Sequence, residues 1–229
     1  MNDSPYISRL CAWAPGIENS GEWNEWAQGK RDMSSGAKGQ GTQAPEIFFT
    51  DAMFRRRLSQ ISKMTVQVVH GLLPVGENAK MLFVSFRGEL ARQYQINKML
   101  IEEKSLMPAA FSLSVFNAPA ALASIGLGLK GGYSALYPGN NSFASGLAAA
   151  SASFVSEKQE ELIFVYADEQ APPEYGRYYN ECSPPLAFSF LLTRKPQSPS
   201  VPLSAFNEED NPLDFLRRLL LCGEVNVAS

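Results

Sequence analysis

Residues 133–150 read YSALYPGNNSFASGLAAA. The first five residues, 133–137, have the make-up of a short strand. Pro138-Gly139 then supplies a turn, and 142–155 is a helix built almost wholly from small residues. Small side chains let such a helix sit close to neighbouring layers. Enzymes often hold a nucleophile at a strand–turn–helix corner of this kind, yet this corner offers Asn140, Asn141 and Ser142.

The rest of the chain alternates in the same way. YISRLCAWA at 6–14 reads as a strand, and MLFVSF at 81–86 and ELIFVYA at 161–167 are continuous apolar runs, as expected of strands buried on both faces. AFSFLLTR at 187–194 is a further strand. Helices are expected over 51–73, where Phe54, Leu58, Ile61, Val68, Val69 and Leu72 recur near helical spacing, and over 89–103, 117–129 and 211–222. Residues 22–46 hold Trp23 and Trp26 and then MSSGAKGQGTQAPE, which reads as loop by composition. Strands alternating with helices indicate one α/β layered domain.

Composition narrows the class. The chain has 229 residues, 45% of them hydrophobic, which can bury a large core. A net charge of −3 argues against a nucleic-acid binder. Cys11, Cys182 and Cys222 are odd in number and far apart, with no CxxC pair, so no metal site and no cofactor are expected. The uncharged stretch between Lys104 and Lys130 is long enough for a membrane span, but Pro108, Pro119 and several polar residues interrupt it, and no span is expected. The N-terminus lacks a basic-then-apolar signal pattern, which predicts a cytoplasmic protein.

Several motifs carry no weight. GLGLKG at 126–131 follows a helix and precedes a strand, the reverse of the order a dinucleotide site requires. The glycines at 36, 39 and 41 lack the lysine of a phosphate loop, and Asn140-Asn141-Ser142 is a glycosylation sequon that a cytosolic chain does not use. The single histidine, His70, suits the C-terminal end of a helix. Glu89, just after a strand, is a weak acid/base candidate whose blander role is to favour a helix N-terminus.

The order of the pieces from FRGELARQYQ (86–95) through MPAAFSLSVFN (107–117) and LKGG (129–132) to the opening stretch resembles the N-terminal half of β-ketoacyl synthases, which have a thiolase-like fold. That family has an S-to-N segment, then a helix, K-G-P, a strand, and T-A-C-x-S opening a buried helix. Asn117 stands at the family's asparagine, Lys130-Gly131-Gly132 at K-G-P, and Asn140 at the nucleophilic cysteine, to within one residue. The resemblance implies the N-terminal half of the fold, a layered α/β/α domain with a mixed sheet spanning 1–229, with a loop at 28–46 and a C-terminal extension at 187–229.

It also implies a function. Asparagine is not a nucleophile, and the family's two catalytic histidines lie in a second half that these residues do not include. A ketosynthase-like subunit without its cysteine resembles a chain-length factor, as in bacterial aryl polyene biosynthesis. Its implied partners are a full-length β-ketoacyl synthase, in a heterodimer or heterotetramer, and an acyl carrier protein. By the same resemblance Tyr133, Ser134, Ala135, Leu136, Tyr137 and Asn117 lie at the partner interface, and Phe86, Glu89, Leu90, Phe111 and Leu113 line an acyl tunnel. Two alternatives stand beside it: a hydrolase or acyltransferase using Ser142 or Ser145 with His70, and a homodimeric thiolase-like binding protein.

Overall fold

The computed structural model describes residues 4–33, 43–105, 108–139, 142–175, 184–206 and 211–228. Its helices are α1 (Ser20–Ala27), α2 (Ala52–Arg55), α3 (Gln60–His70), α4 (Leu90–Glu102), α5 (Pro108–Ser112), α6 (Ala118–Gly126), α7 (Phe143–Ser156) and α8 (Pro212–Cys222). The strands are β1 (Tyr6–Trp13), β2 (Lys80–Val84), β3 (Tyr133–Leu136), β4 (Glu161–Asp168), β5 (Leu186–Thr193), β6 (Val201–Pro202) and β7 (Asn226–Ala228). They form one mixed sheet in the order β3-β2-β4-β5-β1-β6, with β7 also paired to β1. β2, β3 and β4 are parallel, and β5 runs antiparallel to both β4 and β1.

Side-chain alternation divides the core into two layers. Leu162, Phe164 and Tyr166 of β4 join Phe188 and Phe190 of β5 on the face covered by α1, α7 and α8. Ile163, Val165 and Ala167 point the other way, towards Ile61, Met64 and Val68 of α3 and Ala120 of α6. In β1 a register shift between Ile7 and Arg9 places Ile7 and Leu10 in the same layer although they are three residues apart.

Phe143, the first residue of α7, is the hub of the first layer. It has no exposed surface, and its ring centroid lies 5.8 Å from Phe164, 5.6 Å from Tyr166, 5.9 Å from Phe188 and 5.2 Å from Phe215. The small residues behind it have the expected use: a Cβ on Gly146 would meet Val84 at 3.1 Å, so α7 lies close on the sheet.

Two expectations need correction, and one helix is unforeseen. The helix expected over 51–73 is two helices. Asp51 caps α2 by accepting from the Met53 and Phe54 amides, and the chain leaves the helix before Ser59 caps α3 by accepting from Ser62 N at 3.1 Å. No helix is expected ahead of the loop at 28–46, where the structure has α1, started by Asn19, whose side chain accepts from Glu22 N at 3.0 Å. Trp23, Trp26 and Ala27 fall on one face of this helix and are buried, a pattern too short to stand out in the sequence. The segment set apart as a C-terminal extension from 187 begins with β5, which lies between β4 and β1 inside the sheet and has every residue buried. The part that follows does cover a face: Phe215, Leu216 and Leu219 of α8 are buried in the α7 layer.

Phe143→Ala is expected to lower stability by about 3–5 kcal/mol, as for other buried phenylalanines. Phe111, which is 57% exposed, should lose less than about 1 kcal/mol on the same change. Chemical denaturation of the two variants checks both.

Candidate functional site

The parallel strands β3, β2 and β4 end side by side, and in open α/β sheets the carboxyl ends of such strands are where ligands bind. Three segments follow these strands: Tyr137–Gly139 after β3, Ser85–Glu89 after β2 and Glu169–Ala171 after β4.

Asp168 at the end of β4 organises the first three residues of the β2 loop. Its carboxylate accepts from Ser85 Oγ at 2.6 Å, Phe86 N at 3.1 Å, Arg87 N at 3.0 Å and the Tyr166 hydroxyl at 2.7 Å. Ser85 Oγ in turn accepts from Gly88 N at 2.7 Å. Gly88 has φ +54°, and a Cβ there would lie 2.5 Å from the Phe116 ring, so only glycine fits this turn. Burial raises the Asp168 carboxyl above its ordinary range, against the opposing pull of these donors. Burial also lifts the Tyr166 phenol well above its usual value, so it donates rather than ionises.

A second pair of carboxylates sits one step further on. Glu89 has no exposed surface, and its Oε1 accepts from Ser59 Oγ at 2.7 Å and Ser62 Oγ at 2.8 Å. Its Oε2 faces Arg92 Nε at 3.5 Å. Glu169 is 4% exposed and accepts from the Ile61 amide at 3.2 Å. Both carboxylates thus satisfy the first turn of α3 and benefit from its positive end. Burial, followed by the charge of Glu89, pushes Glu169 up to about 7. Burial raises Glu89 too.

The residues singled out in the sequence fare unevenly. Asn117 and Tyr133 are brought together, with Asn117 Nδ2 donating to the Tyr133 hydroxyl at 3.2 Å. β3 is the edge strand of the sheet among the described residues, with Ser134 exposed and Ala135 and Leu136 half-buried. Tyr137 is 53% exposed, with its ring edge-on to Phe86 at 6.4 Å, and Phe86 also meets Tyr166. Leu90 and Leu113 are half-buried, while Phe111 stands in the open. The Glu89 carboxylate is buried and turned inward onto α3, where Ser59 and Ser62 donate to it. Asn140 lies outside the described residues.

The arrangement does not form a serine hydrolase. Ser145 Oγ is tied to the backbone oxygens of Gly139, at 3.1 Å, and Ser142, at 2.7 Å. His70 ends α3, eleven residues long, whose first turn touches the carboxylates; that places it roughly 16 Å along the helix axis from this end of the sheet. Its ring is stacked on Phe49 with centroids 3.6 Å apart. The helices that carry Ser145 and His70 also cover opposite faces of the sheet. Among the described residues no group of three His, Cys, Asp or Glu side chains is placed to hold a metal ion, and no helix is long and apolar enough to cross a membrane.

The sequence reading passed over Asp168, Glu169, Ser85 and Arg92. The available signal was the polar pair that ends the apolar run ELIFVYADE, since carboxylates directly after a doubly buried strand have no route to solvent.

Residues 23–214 match the sequence family described as Beta-ketoacyl synthase, N-terminal domain. The chain belongs to that family. No curated protein matches the chain. Among solved structures it is similar to a chain of the complex of the ketosynthase ApeO with its chain length factor ApeC from Xenorhabdus doucetiae. The identity is 26% and the TM-score 0.74, over 95% of this chain and 91% of that one. It shares the fold of the ishigamide ketosynthase/chain length factor, with 12% identity, a TM-score of 0.65, and coverage of 83% of this chain and 62% of that one. A β-ketoacyl synthase from Burkholderia phymatum STM815 aligns with 12% identity and a TM-score of 0.61, over 83% and 59% of the two chains. The chain therefore spans about three fifths of the length of the latter two. The fold is the N-terminal half of the thiolase-like ketosynthase fold.

Glu169→Gln provides a test of the carboxylate pair. A carboxyl raised from 4.5 to about 7 in the folded state contributes stability that is fully present below pH 4.5 and is lost as pH rises through 7. For a shift of that size the loss is up to about 3 kcal/mol. The variant should lack this part of the decline and be the more stable protein at pH 8, as measured by urea denaturation between pH 4.5 and 8.

Proposed function

We propose that this chain is a non-catalytic, chain-length-factor-like subunit that pairs with an active β-ketoacyl synthase. The observation that carries the reading is its similarity, along nearly the full length of both chains, to a chain from a ketosynthase–chain length factor complex. The residue content agrees. No cysteine occurs between Cys11 and Cys182, so the corner after β3 has no thiol to load. Of the described cysteines, Cys11 is buried in the α3 layer, where burial pushes its thiol up to about 12.

An edge strand is a ready pairing surface. β3 presents one, flanked by the exposed Tyr137, and the partner's equivalent strand would extend the sheet across the interface. Phe86, Leu90, Phe111 and Leu113 would then shape the acyl tunnel of the complex from this side, with Phe111 the most accessible. The growing chain would arrive on an acyl carrier protein, and the resemblance to the aryl polyene subunits makes a polyene chain the first substrate to test.

Co-expression with a ketosynthase encoded beside it, followed by size-exclusion chromatography with light scattering, tests the pairing. A stable 1:1 or 2:2 complex is expected, and a monodisperse monomer with no affinity for that ketosynthase refutes the proposal. Tyr137→Asp places a charge in the interface and should weaken association by several kcal/mol. Because Tyr137 is more than half exposed, the isolated chain should lose less than about 1 kcal/mol of stability. Intact-mass spectrometry after incubation with acyl donors should find no acyl group on residues 139–142. In the complex, Phe111→Ala should lengthen the products, read by mass spectrometry of the released chains.

A further inference from the structure

Next to Glu169 lies a cavity of about 640 Å³ to which none of the roles above assigns an occupant. Its walls include Ala91, Ala171, Pro172 and Pro173, with Glu169 among the lining residues and Gln95 exposed at its mouth. Glu169 Oε2 is taken by the Ile61 amide, but Oε1 is buried and has no hydrogen-bond partner among the described residues. The Ala91 amide helps to hold the charge without reaching hydrogen-bond geometry. A buried carboxylate oxygen left in this state is costly and calls for a donor.

The charges around the cavity are also unequal. Glu89, Asp168 and Glu169 are buried carboxylates. The guanidiniums that face them are those of Arg87 and Arg92. Arg87 Nη1 donates to the Glu169 carbonyl at 2.8 Å. Arg92 is spent on Glu89 and on the carbonyls of Leu113 and Arg57. Glu174, at the rim, is exposed, bonded to the Tyr94 hydroxyl and close to Lys98. With every group ionised, the buried cluster is one positive charge short.

We propose that this cavity binds a primary alkylammonium group, its charged head on Glu169 Oε1 and its apolar stem along Ala91, Ala171, Pro172 and Pro173. A single free oxygen suits the point charge of an ammonium; it does not match the two-pronged fork of a guanidinium. A bare inorganic cation would leave most of 640 Å³ and the apolar wall unused. The amine is either a free alkylamine or the side chain of a lysine on a bound protein. When no amine is bound, a proton on Glu169 supplies the missing charge, so the cation and the proton compete.

Isothermal titration calorimetry of the whole chain with n-butylamine, N-acetyl-lysine methylamide and, as the neutral isostere, n-butanol tests the proposal. Both amines should bind saturably and butanol should not. Tighter binding of butylamine assigns the site to free amines, and tighter binding of the lysine derivative assigns it to a protein lysine. Because Glu169 titrates at about 7, amine affinity should rise roughly tenfold from pH 6 to pH 8. Glu169→Gln should abolish both the binding and its pH dependence. Gln95→Lys, at the exposed mouth, is a second test that does not touch the buried cluster: its own ammonium should fill the cavity and weaken butylamine binding at least tenfold. Absence of saturable amine binding, equal binding of butanol, an affinity that does not change with pH, or undiminished binding in Gln95→Lys would each overturn the proposal.

Discussion

The structure depends on burying β4 and β5 on both faces. These two strands pair along their whole length, with Phe164 stacked on its cross-strand partner Phe190 at a centroid distance of 4.5 Å. A sheet that is apolar on both sides must be covered on both sides. One cover is α3 with α6. The other is α7, with α1 and α8 closing what α7 leaves. Phe215 of α8 reaches Phe143, Phe188, Phe190 and Phe206 on this face. The cover is not complete: Val155 of α7 and Leu221 of α8 remain exposed.

The same double burial explains the carboxylates at the strand ends. Asp168 ends a strand with no path to water and Glu169 follows it immediately, and Glu89 follows the short turn after β2. Each must find donors inside the protein. Asp168 takes those of the β2 loop, and Glu89 and Glu169 take those of the first turn of α3. Carboxylates clustered at the carboxyl ends of parallel strands can serve acid–base chemistry. Here the partners are mostly backbone amides and hydroxyls that the fold itself must satisfy. The cluster therefore holds α3 and the β2 loop against the sheet; among the described residues Glu89 Oε2 and Glu169 Oε1 accept no hydrogen bond, and of the two Glu89 Oε2 faces the Arg92 guanidinium.

That distinction separates scaffold from function. The corner between β3 and α7 keeps what packing requires: Phe143 as the aromatic hub, Gly146 against Val84, and Ser145 holding the turn carbonyls. None of these needs a nucleophile. Packing alone accounts for the corner, and β3 lies at the edge of the sheet among the described residues.

Most of the element order was legible in the sequence, because the runs MLFV, LIFVYA and AFSFLL are long and apolar and the helix after Pro138-Gly139 has no competing pattern. The resemblance to the ketosynthase N-terminal half came from motif order and spacing, which need no knowledge of contacts. Periodicity could not reveal that 51–73 breaks into two helices, since its apolar spacing runs through the break; the caps at Asp51 and Ser59 decide it. Nor could it place β5 inside the sheet, because pairing between residues 161–168 and 186–193 is a choice among strands. The buried roles of Asp168, Glu169 and Glu89 were invisible for the same reason. A carboxylate's environment is set by what other segments bring to it, and here Ser59, Ile61 and Ser62 arrive from more than twenty residues away in the chain. The sequence by itself determined which segments are strands and helices and that the corner lacks a thiol. Only the tertiary structure decided which faces are covered, which edge is left open and which buried oxygens have no hydrogen-bond donor, because each of these depends on contacts between segments distant in the chain.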